Sequence, residues 1–99
     1  MRVISSVEFG GMEYQSIWAS LSWLDSSQNN ASMALAVRDA KGTDVAIIPR
    51  NAKLAEVEAS LSILRNLGLG DSRLAKLFNY KGSPRGLAQH VKVLVSSLR

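Results

Sequence analysis

The chain has 99 residues, of which 46% are hydrophobic and 20% charged, with a formal net charge of +4. That make-up belongs to one ordinary globular domain, 1–99, and excludes a disordered tail or a second domain. Cysteine is absent, which rules out disulfides, thiolate metal sites and a cysteine nucleophile.

No apolar run approaches the ~20 residues that span a membrane. Met1 to Phe9 carries one arginine and lacks the apolar stretch of a signal peptide. The expectation is a cytoplasmic protein without membrane association.

Charge and periodicity both change near Pro49. Residues 1–49 hold three basic side chains (Arg2, Arg38, Lys41) against five acidic ones (Glu8, Glu13, Asp25, Asp39, Asp44). Residues 50–99 hold nine basic (Arg50, Lys53, Arg65, Arg73, Lys76, Lys81, Arg85, Lys92, Arg99) against three acidic (Glu56, Glu58, Asp71). Apolar spacing shifts from two-fold to helical at the same point. The predicted fold is α+β: an antiparallel meander of about four strands, then three helices packed on one face, the last two helix-turn-helix-like.

In chain order, Arg2 to Phe9 alternates, with Val3, Val7 and Phe9 on one face and Ile4 an exception. Gly10-Gly11 suits a two-residue hairpin turn. Glu13 to Leu24 fits a strand, with Ile17, Ala19, Leu21 and Trp23 on one face and Ser16, Trp18, Ser20 and Ser22 on the other. A helical stripe of Tyr14, Ile17, Trp18, Leu21 and Leu24 fits it as well, but leaves Trp23 exposed. Asp25 to Asn30 is a polar loop. Ser32 to Asp39 alternates with Met33, Leu35 and Val37 on one face; a turn at 40–43 returns the chain through Asp44 to Ile48, and Pro49 ends the strand.

Asn51 is a candidate N-cap for a helix to about Leu67, closed by Gly68, with Leu54, Val57, Leu61, Leu64 and Leu67 as its inner stripe. A second helix, capped by Asp71, runs to about Tyr80 and buries Leu74, Leu77 and Phe78. Ser83-Pro84 starts a third, with Leu87, Val91, Leu94, Val95 and Leu98 on one face. Arg85, Gln89, Lys92, Ser96 and Arg99 line the other.

That polar stripe carries the functional expectation. Arg, Gln, Lys and Ser can hydrogen-bond base edges in a major groove, and Arg and Lys can hold phosphates. The segment Leu74-Ala-Lys-Leu-Phe78, followed by Arg85-Gly-Leu-Ala-Gln-His-Val91, resembles winged-helix and helix-turn-helix repressors over about a quarter of the chain. The turn is longer by about two residues than in that pattern, and Gly86 falls in the first turn of the third helix. The leading expectation from the polar stripe is a non-enzymatic, regulatory protein bound to double-stranded DNA as a homodimer. Arg85, Gln89 and Lys92 would read bases; Arg73, Lys76, Lys81 and Ser83 would hold phosphates. The alternative is an adaptor or inhibitor that docks the same basic face on an acidic protein surface.

Other motifs have ordinary readings. Lys81-Gly-Ser-Pro-Arg-Gly86 could cradle an anion but lacks the Gly-Lys-Ser/Thr ending of a phosphate loop. Gly68-Leu-Gly70 follows a helix and so reads as a cap, not a dinucleotide loop. His90 lies at the edge of the core, with no second ligand at metal-binding spacing. Trp18, Trp23 and Tyr14 could stack bases but lie in the acidic half. No catalytic residue, metal or cofactor is expected.

Overall fold

The computed structural model of the protein describes residues 2–21 and 32–97. Four strands, β1 (Arg2–Phe9), β2 (Met12–Leu21), β3 (Ser32–Asp39) and β4 (Asp44–Pro49), form one antiparallel sheet in the order β1-β2-β3-β4. Helices α1 (Leu54–Leu67), α2 (Asp71–Leu77) and α3 (Leu87–Ser97) follow, with a single 3₁₀ turn at Pro84–Gly86 before α3. The fold is the expected α+β arrangement. No described helix is long and apolar enough to cross a membrane.

The hairpins form where local chemistry demands them. Gly10 and Gly11 take φ of 63° and 78°, closing the turn between Phe9 and Met12. In the second hairpin the Asp39 carboxylate accepts from the Lys41 and Thr43 amides at 2.9 and 3.0 Å. Beside it, Arg38 Nε donates to Asp44 at 2.7 Å, a bond that raises the Arg38 pKa.

Residues 13–21 are strand, so the helical alternative fails as far as the description reaches. Positions 22–31, with Trp23, Leu24 and the expected polar loop, lie outside the described residues, as do Leu98 and Arg99.

The core lies between one sheet face and the helices. Val7, Tyr14, Trp18, Leu35, Val37, Ala46 and Ile48 meet Val57, Leu61, Leu64, Leu74, Leu77, Phe78, Leu87, Val91 and Val95 there. Ile17, Ala19, Ala34 and Ala36, on the opposite face, are buried too. The expected alternation of β1 is broken by a bulge between Val3 and Ser5. Val3 therefore pairs with Ile17 and is 51% exposed, out of phase with Val7, while Ile4 turns toward the core. The bulge explains why Ile4 broke the sequence pattern.

Helix boundaries differ in detail. Asn51 does not cap α1, because the Ala52 amide bonds the Pro49 carbonyl in a turn of its own. Lys53 takes the cap position, and its amide donates to the Glu56 carboxylate at 2.8 Å. Leu54 and Leu67, at the two ends of the expected stripe, are 37% and 44% exposed. Gly70, not Asp71, caps α2; Asp71 is its first residue and reaches Arg65 at 3.5 Å.

Helix α2 stops at Leu77 rather than Tyr80 because Asn79 takes the left-handed conformation and closes the end locally, its amide bonding the Lys76 carbonyl at 3.2 Å and the Tyr80 amide the Ala75 carbonyl at 2.7 Å. The Lys76 carbonyl accepts from the Ser5 hydroxyl at 2.7 Å, and the Leu77 carbonyl from the Ser16 hydroxyl at 2.6 Å. The Phe78 carbonyl is 2.9 Å from His90 Nε2, which must donate because a carbonyl can only accept. Asn79 then turns the chain at φ 54°. Ser16 is fully buried, so Ser16→Ala strands a carbonyl away from water and should cost about 1–3 kcal/mol. Urea unfolding checks this; a midpoint equal to that of the native chain would show that the bond contributes nothing.

Candidate nucleic-acid interface

The seven residues proposed from sequence fall on α2, the connection after it, and α3. Arg73, Lys76, Lys81, Ser83, Arg85 and Gln89 are exposed, and Lys92 is half-buried. Arg73 and Lys76 share a groove of about 420 Å³ between β1 and α2, lined also by Val7, Glu8 and Ser72. On the other flank of α2, Asp71, Ser72 and Ala75 face Tyr80, Gly82, Pro84 and Leu87 across a smaller hollow of about 150 Å³. Ser72 borders both.

Tyr80 holds the connection in place. Its amide bonds the Ala75 carbonyl at 2.7 Å, its hydroxyl donates to the Ser83 carbonyl at 2.8 Å, and its ring centroid lies 4.8 Å from that of His90. A side chain at Gly82 or Gly86 would meet the Tyr80 hydroxyl, which explains the glycine in the first turn before α3. Ser83 occupies the cap position of the 3₁₀ turn, but its hydroxyl makes no capping bond.

Helix α3 buries Leu87, Val91 and Val95 and packs chiefly on α1, whereas α2 packs on β1 and β2. The two helices therefore pack mainly on different elements and are joined by an ordered connection. Val93, 55% exposed, stands on the outer face of α3 beside Gln89.

The electrostatics of this surface are one-sided. No acidic residue follows Asp71 in the chain. Among the described residues, the ion pairs are Arg38–Asp44 and Arg65–Asp71, so Lys76, Lys81, Arg85 and Lys92 have no carboxylate partner there. Arg73 is held differently: its Nε donates to the Glu8 carbonyl at 3.0 Å, and its guanidinium lies 5.1 Å from the Phe9 ring centroid.

Ser72, Phe9 and the Glu8 carbonyl were missed in the sequence. The spacing of Ser72 and Lys76, four residues apart on one helix, was a usable signal; the β1 contacts had none. Among the described residues, no three His, Asp or Glu side chains are grouped to hold a metal ion. Compared with known proteins, the chain matches no family model, no curated protein and no solved structure.

Proposed function

We propose that the chain is a small, non-enzymatic DNA-binding protein of regulatory type, acting in the cytoplasm as a homodimer that presents its helical layer to the duplex. The observation that carries this reading is the set of cations after Asp71, with Lys76, Lys81 and Arg85 exposed and Lys92 half-buried, that have no carboxylate partner among the described residues. On a folded surface, unpaired charges of one sign repel one another, and an array of phosphates relieves that repulsion. Arg73, Lys76, Lys81 and Ser83 contact the backbone, while Arg85, Gln89 and Lys92 approach base edges. A dimer doubles these contacts and spaces them for two half-sites.

The test separates the two roles. Arg85→Ala should cost about 1–3 kcal/mol on a preferred site and relax base preference; Lys81→Ala should weaken all sequences alike. Competition binding against duplexes of varied sequence measures both, and equal losses with unchanged preference would refute base readout by Arg85.

The same cations would suit a second reading, docking on an acidic protein surface, to which Val93, 55% exposed beside Gln89, would add an apolar contact. Under it, Val93→Ser weakens the protein complex and the isolated chain ignores DNA.

A further inference from the structure

We infer that the groove between β1 and α2 is a seat for a single phosphate group, with Arg73 as its fixed cation. The inference rests on the DNA-binding reading and names one contact within it. Most surface arginines and lysines sample many rotamers, and ordering them on a ligand costs binding energy. Arg73 is already ordered. Its Nε is committed to the Glu8 carbonyl at 3.0 Å, and its plane lies over the Phe9 ring. Phe9 is itself wedged against Gly68, where an added Cβ would come within 2.6 Å of Phe9 Cζ.

A guanidinium has five N–H donors, of which this arrangement uses one. The remaining fork matches two oxygens of a phosphate. Lys76 lies one helical turn on from both Ser72 and Arg73, so an ammonium and a hydroxyl line the same groove as the fork. Carboxylates are turned aside: Glu8 offers its carbonyl here, while strand alternation sends its side chain, with that of Glu13 opposite it, to the other sheet face. Asp71 is engaged by Arg65. A tetrahedral oxyanion with several acceptor oxygens suits this set of donors. It could belong to a nucleic-acid backbone or to a free phosphate ester.

Inorganic phosphate and duplex DNA, added separately to ¹⁵N-labelled full-length protein, test the seat. Phosphate should shift the amides of Ser72, Arg73 and Lys76 and the Arg73 Nε saturably, leaving Lys81 and Arg85 unmoved. Ser72→Asp puts a carboxylate in the groove where an acidic residue favours the first helical turn, so the fold is kept while phosphate affinity falls about tenfold or more. Arg73→Lys keeps the charge but loses the anchored fork, and should weaken phosphate about three- to tenfold. If DNA binds while the groove ignores phosphate, or if phosphate shifts all the cations alike, the seat is refuted and the DNA reading stands. A groove that takes phosphate in a protein that ignores DNA keeps the seat, points to a free phosphate ester and refutes the DNA reading. No response to either overturns both.

Discussion

Replacing Lys76, Lys81, Arg85 and Lys92 together by glutamine is expected to weaken duplex DNA binding by about 4 kcal/mol, roughly 10³-fold, at low salt. Each cation that settles near the phosphate array displaces about one condensed counterion, so the four contributions accumulate. The salt slope should fall in parallel, by about 0.9 for each contact removed. The fold should survive, because none of the four has an ion-pair partner among the described residues and removing them relieves like-charge repulsion. The melting temperature should therefore hold or rise. Anisotropy titrations of both proteins check the affinity, and a loss of less than about tenfold would mean that DNA, if bound, is bound elsewhere.

Gly68→Ala is expected to cost about 2–5 kcal/mol, for two independent reasons. Gly68 closes α1 at φ 113°, with its amide bonded to the Arg65 carbonyl at 2.9 Å. A residue with a Cβ is strained there by about 1–2 kcal/mol. That Cβ would also press into Phe9, 2.6 and 2.8 Å from two ring carbons, and relieving such overpacking costs about 1–3 kcal/mol more. Gly70 is the control. It has φ −77°, and a methyl group added there would find nothing within 4 Å, so Gly70→Ala should cost less than about 1 kcal/mol. Denaturant unfolding of the two variants compares them directly. Because Phe9 is the platform under Arg73, the Gly68 variant should also blunt the response of the groove to phosphate.

The elements that could be read from sequence were those set by neighbours in the chain. Gly10-Gly11, the Asp39 turn and Pro49 mark the hairpins through backbone chemistry confined to a few residues, and the inner face of α3 follows from its spacing. The bulge at Ile4 was visible only as an exception, since its cause is pairing with β2. The early end of α2 is set by Asn79 in a left-handed turn, which the helical spacing alone overran, while the hydroxyls of Ser5 and Ser16 that meet its last carbonyls come from 71 and 61 residues away. Gly82 and Gly86 stood in the sequence within a candidate anion loop; contact with Tyr80 accounts for them.

The candidate interface divides in the same way. Its cations were legible because charge is counted residue by residue. The feature that distinguishes Arg73 from the others, a backbone carbonyl and an aromatic ring on β1, exists only once α2 has packed beside that strand. Sequence named the charges; packing decided which of them is held still.

Fluorescence anisotropy of the native protein with labelled duplex DNA, titrated across salt from ~50 to ~200 mM, decides whether the helical layer binds DNA at all. Binding should weaken steeply, with a slope of log affinity against log salt of about −5, corresponding to about six phosphate contacts, Arg73, Lys76 and Lys81 from each protomer. No binding at ~50 mM salt, or binding indifferent to salt, would refute DNA recognition by the basic face.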